Sequence, residues 1–206
     1  MTWSARHPET RTLKSWAKDF LPQDIPTARI MTFGYDSRVT SARYLTQRTL
    51  FSHSQRLLKA VKGVRQEASQ RPLIFVCHSL GGIVVKSALI HSDREDSGFK
   101  DLQLSIVGIV FFGTPHQGSS NSSWGQLVNY VTKITLDITY TGISHTLDTD
   151  LEWLQLQLEQ YKTLSANFYT CCFYEGSGGL TGNTIGLYPV SLKPLPSAFL
   201  TFCKDH

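Results

Sequence analysis

One apolar run meets a serine, two glycines and a second apolar run in Phe75-Val76-Cys77-His78-Ser79-Leu80-Gly81-Gly82-Ile83-Val84-Val85. Residues Leu73 to Cys77 predict a short buried strand, and the apolar spacing from Gly82 onward predicts a helix. Ser79 therefore falls at a turn between a strand and a helix. Small residues suit this position because the backbone doubles back closely there.

A serine at such a turn is typical of the nucleophile elbow, Gly-x-Ser-x-Gly, which holds the hydroxyl clear of the sheet. Cys77 stands at the first glycine position, and its small side chain makes this a mild departure. The N–H of Leu80 begins the helix and is placed to donate to an oxyanion beside Ser79. The alternative is an ordinary tight turn, since five residues alone are a weak signal. The flanking strand and helix favour the nucleophile.

Length and composition bound the class of protein. The 206 residues are 41% hydrophobic, which suits one domain with a sizeable core. The net charge of +4 comes from scattered residues, so we expect no nucleic-acid partner. We expect an intracellular, cytoplasmic protein, because the sequence shows neither a secretory signal at its start nor about 18 consecutive apolar residues. The cysteines lack metal-ligand spacing, which predicts buried thiols and no metal or dissociable cofactor: Cys77, Cys171, Cys172 and Cys203.

Helical and strand patterns alternate along the chain. The predicted elements are a helix at Thr12–Leu21, a strand at Ala28–Tyr35, a helix at Ser54–Glu67, the strand Leu73–Cys77, the helix from Gly82, a strand at Leu104–Phe112, a helix around Leu151–Tyr161 and a strand at Phe168–Tyr174. This order predicts an α/β fold with a mostly parallel, doubly wound sheet. We expect one domain over residues 1–175 and an irregular tail over residues 176–206.

A serine nucleophile needs a histidine base, and the histidine needs a carboxylate that fixes its tautomer. In α/β-hydrolases these follow in the order serine, acid, histidine. Glu175 is our candidate acid because it comes directly after a predicted strand; its alternative is an exposed strand-end carboxylate. Asp137 and Asp148 are weaker candidates. His206 is the sole histidine after Glu175 and therefore the candidate base.

Three further residues are predicted to line the site. Functional groups of open α/β sheets gather beyond the carboxyl ends of the strands. His78 and Gly81 flank the serine in the chain, and His116 lies in the loop that follows the next predicted strand. The region 124–143 is ambiguous and is predicted to form a cap that shapes the pocket.

Two linked segments carry a resemblance to a known family: Cys77-His78-Ser79-Leu80-Gly81-Gly82-Ile83-Val84-Val85-Lys86 and Gly108-Ile109-Val110-Phe111-Phe112-Gly113-Thr114-Pro115-His116-Gln117-Gly118-Ser119. They resemble lipase-like serine hydrolases with a serine-active-site-containing, serine-esterase domain, found alone or at the N-terminus of fungal NOD-like receptors and ankyrin proteins. Inositol deacylases acting on glycosylphosphatidylinositol are distantly similar. Arg29–Asp36 and Trp16–Pro22 match the same family, so the resemblance covers about Trp3 to Glu175.

The resemblance implies an α/β-hydrolase fold, with Ser79 as nucleophile, Leu80 as an oxyanion N–H donor and Glu175 as acid. It also admits a mitochondrial or endoplasmic-reticulum location. Family members normally begin with a strand and a His-Gly loop that supplies the other half of the oxyanion hole, upstream of the residues that Thr2 and Trp3 match. Ser197–Leu200 resembles a segment before the family's histidine. The expectation is a truncated domain that lacks the first strand and loop, with the family's histidine beyond residue 206.

The predicted function is hydrolysis of carboxylic esters, including lipids, through an acyl-enzyme on Ser79. The alternative is a non-catalytic or weakly active binding or signalling module that keeps the hydrolase shell. An acyltransferase or thioesterase would use the same nucleophile. We expect a small ester or lipid as partner, with peripheral contact to a membrane surface.

Overall fold

The computed structural model describes residues 3–35, 47–93, 98–114, 156–157, 159–176 and 184–188. His116, His206, Cys203, Asp137, Asp148, the region 124–143 and the segment 197–200 lie outside these ranges. The chain forms two compact units, Met1–Ser37 and Arg38–His206, and each is described by itself.

The first unit is built on a small hairpin. Strands β1 (Ser4–Arg6) and β2 (Leu13–Ser15) pair antiparallel, and the rings of Trp3 and Trp16 lie 5.8 Å apart beside them. A π-helical segment (Trp16–Phe20) and helix α1 (Leu21–Asp24) follow. The predicted helix at Thr12–Leu21 is therefore wrong at both ends. Its first residues pair with β1, and Pro22 does not stop the helix because proline fits the first turn, where its missing N–H costs nothing.

The strand predicted at Ala28–Tyr35 is also wrong. Among the described residues, no strand ladder includes this segment. Its alternating, β-branched pattern indicates an extended backbone. A strand, however, exists only when a neighbouring strand accepts its hydrogen bonds, and that depends on tertiary structure rather than on the pattern.

The second unit contains a four-stranded sheet in the order β3-β4-β5-β6. Its elements are α2 (Gln47–Val64), a 3₁₀ turn (Gln66–Ala68), β3 (Leu73–His78), α3 (Leu80–Ser92), α4 (Lys100–Leu104), β4 (Ile106–Phe112), a 3₁₀ turn (Ser165–Asn167), β5 (Tyr169–Gly176) and β6 (Thr184–Tyr188). Residues 159–164 are helical before β5. Strands β3, β4 and β5 are parallel, which confirms a mixed α/β fold with a parallel sheet at its centre.

Strand β6 differs from the sequence prediction. It pairs antiparallel with β5, from Cys172 opposite Tyr188 to Gly176 opposite Thr184, inside the range predicted to be an irregular tail. Five residues that include a glycine make a weak local signal for a strand. The unpaired N–H and C=O groups along the edge of β5 supply the partner that the local sequence cannot show.

The two faces of the parallel strands have different environments. On one face the apolar side chains pack together, and the rings of Phe112 and Phe173 stack with their centroids 4.5 Å apart. On the other face the register places Cys77, Phe111 and Cys172 in one row under α3. Cys77, Cys171 and Cys172 are buried thiols outside any disulfide, as the cysteine pattern predicted.

The loop before β3 is held by one buried arginine. The Arg65 guanidinium donates hydrogen bonds to the carbonyls of Ser69 and Arg71 and, at 3.1 Å, to the hydroxyl of Ser105. Ser105 directly precedes β4, and its carbonyl accepts the Leu73 N–H at 2.9 Å. These bonds hold the starts of β3 and β4 together, and the register of the two strands shifts by one residue between Leu73 and Ile74.

Lys86 is a buried cation beneath α3. Its side chain is 2% exposed, and its Nζ lies 5.3 Å from the centroid of the Phe111 ring and 5.2 Å from that of Tyr161. Ring faces attract a cation, which offsets part of the cost of removing the ammonium from water. Burial lowers the pKa of Lys86 to about 8, against a smaller opposite effect of Cys172 and Cys77.

None of the described helices combines the length and hydropathy that a membrane crossing requires.

We expect the stability of the protein to rise between about pH 8 and about pH 9 because of Lys86. The unfolded chain keeps the lysine proton up to its ordinary pKa of 10.5, whereas the folded chain loses it near 8. The unfolded state therefore binds more protons in this window, and the free energy of unfolding increases with pH. At higher pH, burial of Cys77 raises the pKa of its thiol and opposes the trend.

Urea unfolding of the wild type and of Lys86→Met at about pH 7.5 and about pH 9 measures this effect. The wild type should gain stability relative to the variant as the pH rises. An equal pH dependence in both proteins would contradict the assignment.

Candidate active site

Ser79 is the one residue between the end of β3 at His78 and the start of α3 at Leu80. Its backbone has φ 49° and ψ −124°. Positive φ is uncommon for a residue with a side chain, and holding one there costs about 1 to 3 kcal/mol. The predicted strand-to-helix turn is confirmed, with the helix beginning at Leu80 rather than at Gly82.

Hydrogen bonds from three directions hold this turn. The Ser79 N–H donates to the Phe112 carbonyl at 2.9 Å, which ties the end of β3 to the end of β4. The Ser79 carbonyl accepts bonds from the Thr114 hydroxyl and from the Gly82 N–H, each at 3.1 Å. Both polar groups of the strained residue are therefore paired within the protein.

The close packing at the turn requires Gly82. A Cβ atom built on Gly82 would lie 2.9 Å from the Phe111 ring and closer still to both branches of the Thr114 side chain. Thr114 is 1% exposed and Phe111 is fully buried, so neither side chain has room to withdraw. The absence of a side chain at Gly82 is what lets α3 approach β4.

We expect Gly82→Ala to lower the free energy of unfolding by about 1 to 3 kcal/mol, because the added methyl overfills a closed space. Gly63→Ala is the matched control, since a Cβ at that exposed helical glycine meets nothing within 4 Å. The control should leave stability unchanged or raise it by up to about 1 kcal/mol. Urea denaturation of both variants measures the difference, and equal effects would contradict the packing argument.

The Ser79 hydroxyl is buried, and among the described residues it has no hydrogen-bond partner. Other buried serines of this unit satisfy their hydroxyls locally: those of Ser92 and Ser105 each donate to a helix carbonyl at 2.8 Å. A buried polar atom without a partner is costly, so its presence calls for an explanation, and a function of that atom is one. Strained backbone and an unpartnered hydroxyl at one residue together favour a nucleophile over a structural serine.

The structure places the other predicted site residues as follows. Leu80 and Gly81 lie in the first turn of α3, where backbone N–H groups have no intrahelical acceptor. His78 is the last residue of β3, in register with Phe112. Glu175 lies within β5, opposite Ile185 of β6, rather than after the strand as predicted. Strand β5 extends past Tyr174 to Gly176 because its last residues pair with β6.

The structure brings Ser79 and Glu175 to the same edge of the sheet. Strands β3 and β5 are parallel and separated by β4, so their carboxyl ends lie about two strand spacings, roughly 10 Å, apart. Candidates His116 and His206 are outside the described residues. Among the described residues there is no cluster of three metal-ligating side chains.

Sequence reasoning overlooked Thr114 and Lys86. Thr114 follows β4 as part of Gly113-Thr114-Pro115, which the pattern marks only as the end of a strand. Lys86 continues the apolar pattern of α3 as a charged residue at a helical position, which is the signal that could have identified a buried cation. In both cases the partner is distant in the chain.

We expect Ser79→Gly to be more stable than Ser79→Ala by about 1 kcal/mol. Both substitutions remove the hydroxyl, but only glycine tolerates the positive φ at this position without strain. Thermal or urea unfolding of the two variants checks this independently of any activity. Equal or greater stability of the alanine variant would mean that the turn is not strained.

Comparison with known proteins gives one family and several relatives. The model of the family described as "Putative serine esterase (DUF676)" matches residues 14–172. Protein SERAC1 of Bos taurus is 26% identical over 205 residues, which cover 97% of this chain and 30% of that protein. Protein SERAC1 of Danio rerio is 30% identical over 121 residues, or 56% of this chain and 18% of that protein.

Protein SERAC1 of Homo sapiens is 25% identical over 133 residues, which are 63% of this chain and 20% of that protein. The chain thus spans less than a third of the length of these curated relatives. No solved structure matches the chain.

Proposed function

Since the chain belongs to the serine-esterase family whose model covers residues 14–172, we propose that it hydrolyses carboxylic esters through an acyl-enzyme on Ser79. The observation that carries the proposal is the turn itself: a serine with φ 49° between a strand and a helix, with a buried hydroxyl that has no partner among the described residues. The proposal includes lipid esters, as the resemblance to lipase-like hydrolases implies.

The fold supports the same proposal. Three parallel strands with the serine after the first, and α3 running from it, match the centre of an α/β-hydrolase. We assign the sheet to that fold on this arrangement and on the family. The antiparallel β6 is compatible with it, because open α/β sheets often carry an antiparallel edge strand.

The reaction follows from the chemistry of the serine. The Ser79 Oγ attacks the ester carbonyl carbon while a base removes its proton, and the carbonyl oxygen becomes an oxyanion. The N–H of Leu80 donates to that oxyanion. The C–O bond to the alcohol then breaks, the base returns the proton to the leaving alcohol, and the acyl group remains on Ser79. Water then attacks the acyl carbon while the base removes its proton, the bond to the Ser79 Oγ breaks, the base returns the proton to that oxygen, and the carboxylic acid leaves.

For the acid and base we propose Glu175 and His206. The role of Glu175 is supported by its strand, β5, which lies two strands from the strand that ends before Ser79, and an imidazole hydrogen-bonded to both residues would bridge such a gap. His206 is the proposed base because it follows Glu175 in the chain, as the order serine, acid, histidine requires. Both roles are carried by chain order and strand position. His78, Gly81 and His116 are proposed to line the site.

We expect a fluorophosphonate probe to label the wild-type protein covalently and to leave Ser79→Ala unlabelled. The probe reacts only with a serine that a base has activated and whose oxyanion is stabilised, so labelling reports the assembled site. Ser165→Ala is the matched control, because Ser165 donates to the Lys162 carbonyl on an exposed turn and should not affect labelling. Mass spectrometry of the labelled peptide identifies the residue.

Hydrolysis of short p-nitrophenyl esters provides a second measurement. The wild type and Ser165→Ala should release p-nitrophenol, and Ser79→Ala should not exceed the uncatalysed rate. Persistent labelling of Ser79→Ala would remove the assignment of the nucleophile. A folded wild type that neither labels nor hydrolyses would support the binding or signalling module instead.

A further inference from the structure

Thr114 lies where the ends of three strands are joined. The Gly113 N–H donates to the Phe173 carbonyl at 2.9 Å, which fixes the chain just after β4 against β5. From that anchor the buried Thr114 side chain reaches back to β3, where its Oγ1 donates to the Ser79 carbonyl at 3.1 Å. The hydroxyl touches the backbone of the proposed nucleophile and not its side chain.

That contact has a geometric consequence. The Ser79 carbonyl and the Leu80 N–H belong to one planar trans peptide, so they point in opposite directions. Whatever fixes the direction of the carbonyl also fixes the direction of the N–H. The carbonyl has two hydrogen bonds, one from the Thr114 hydroxyl and one from the Gly82 N–H. The Leu80 N–H is the group that the proposed mechanism needs for the oxyanion.

We propose that Thr114 is a positioning residue, whose hydroxyl holds the Ser79–Leu80 peptide in the orientation that aims the Leu80 N–H at the oxyanion. The inference rests on the proposed function, because it assigns a partner to the oxyanion donor of that reaction. In this role Thr114 neither donates a hydrogen bond to the substrate nor transfers a proton.

The position of this peptide needs such support. Ser79 has φ 49°, a sparsely populated conformation that persists only when its surroundings impose it. The Gly82 N–H comes from the same first turn of α3 and would move with it, whereas Thr114 belongs to the segment that follows β4. A donor anchored at the end of β4 therefore holds the peptide against the sheet. Gly82 is required for the same reason, since a Cβ there would occupy the space of the Thr114 side chain.

Two comparisons of variants at position 114 separate the effect of the hydroxyl from the effect of side-chain shape. Thr114→Val keeps the branched shape and removes the donor, whereas Thr114→Ser keeps the donor and removes a methyl group. Thr114→Ala, compared with Thr114→Ser, removes the donor in the smaller background, so it tests the same point if the valine variant fails to fold. Each protein is measured for kcat and KM on p-nitrophenyl acetate, for the fluorophosphonate labelling rate and for urea stability.

We expect Thr114→Val to lower kcat and the labelling rate about tenfold or more with KM nearly unchanged, because complete loss of an oxyanion donor costs about 100- to 1,000-fold. Thr114→Ser should keep activity close to the wild type although it leaves a small void, and Thr114→Ala should fall well below it. Activity should therefore follow the hydroxyl and not the order of the variants in urea stability, because stability also depends on side-chain volume. A merely structural role would make activity follow stability.

Wild-type activity in Thr114→Val, or equal losses in the valine and serine variants, would overturn the role of Thr114 while leaving the proposed function intact. A wild type without Ser79-dependent labelling would overturn the proposed function, and the role of Thr114 with it. The wild type and Ser79→Ala are therefore measured beside the Thr114 variants, so that the two failures are distinguished.

Discussion

The close approach of α3 to the end of β4 is the constraint on which the second unit depends. It is possible only because Gly82 has no side chain, and it brings Thr114 within hydrogen-bond distance of the Ser79 carbonyl. Ser79 is thereby fixed at a positive φ with both backbone polar groups paired. Its buried hydroxyl has no hydrogen-bond partner among the described residues. Packing of backbone against side chain thus supports a strained residue that local sequence would not hold by itself.

Helix α3 also buries a charged side chain, that of Lys86, and removing its ammonium group from water costs free energy. Lys86 follows one turn after Gly82 and lies against Phe111, the residue that also packs on Gly82. One aromatic ring therefore contacts both the glycine that shapes the turn and a buried cation. The two thiols of the row under α3, Cys77 and Cys172, are close enough to affect the pKa of Lys86, and the rings of Phe111 and Tyr161 lie beside its Nζ. The free energy of unfolding consequently depends on the protonation of Lys86.

Much of the centre of the fold could be predicted from local pattern. Strands β3 and β4 and helices α2 and α3 were identified to within a few residues, apart from the early start of α2, because long apolar runs and helical periodicity are strong signals. Ala28–Tyr35 has an equally plausible strand pattern, yet the structure gives it no ladder. β6 has a weak pattern and forms a strand because β5 offers an edge. Pairing, unlike periodicity, is not encoded in one segment.

Local sequence is enough to predict the strand-to-helix turn at Ser79 and the buried strand that follows, because each depends on neighbours in the chain. The group that holds the turn, in contrast, depends on tertiary contacts. Thr114 is separated from Ser79 by 35 positions, and the bond between them exists because parallel strands end at the same edge of the sheet. Glu175 reaches that edge for the same reason. Chain order could suggest Glu175 as the proposed acid, whereas the hydrogen bond from Thr114 to the Ser79–Leu80 peptide is visible only in three dimensions.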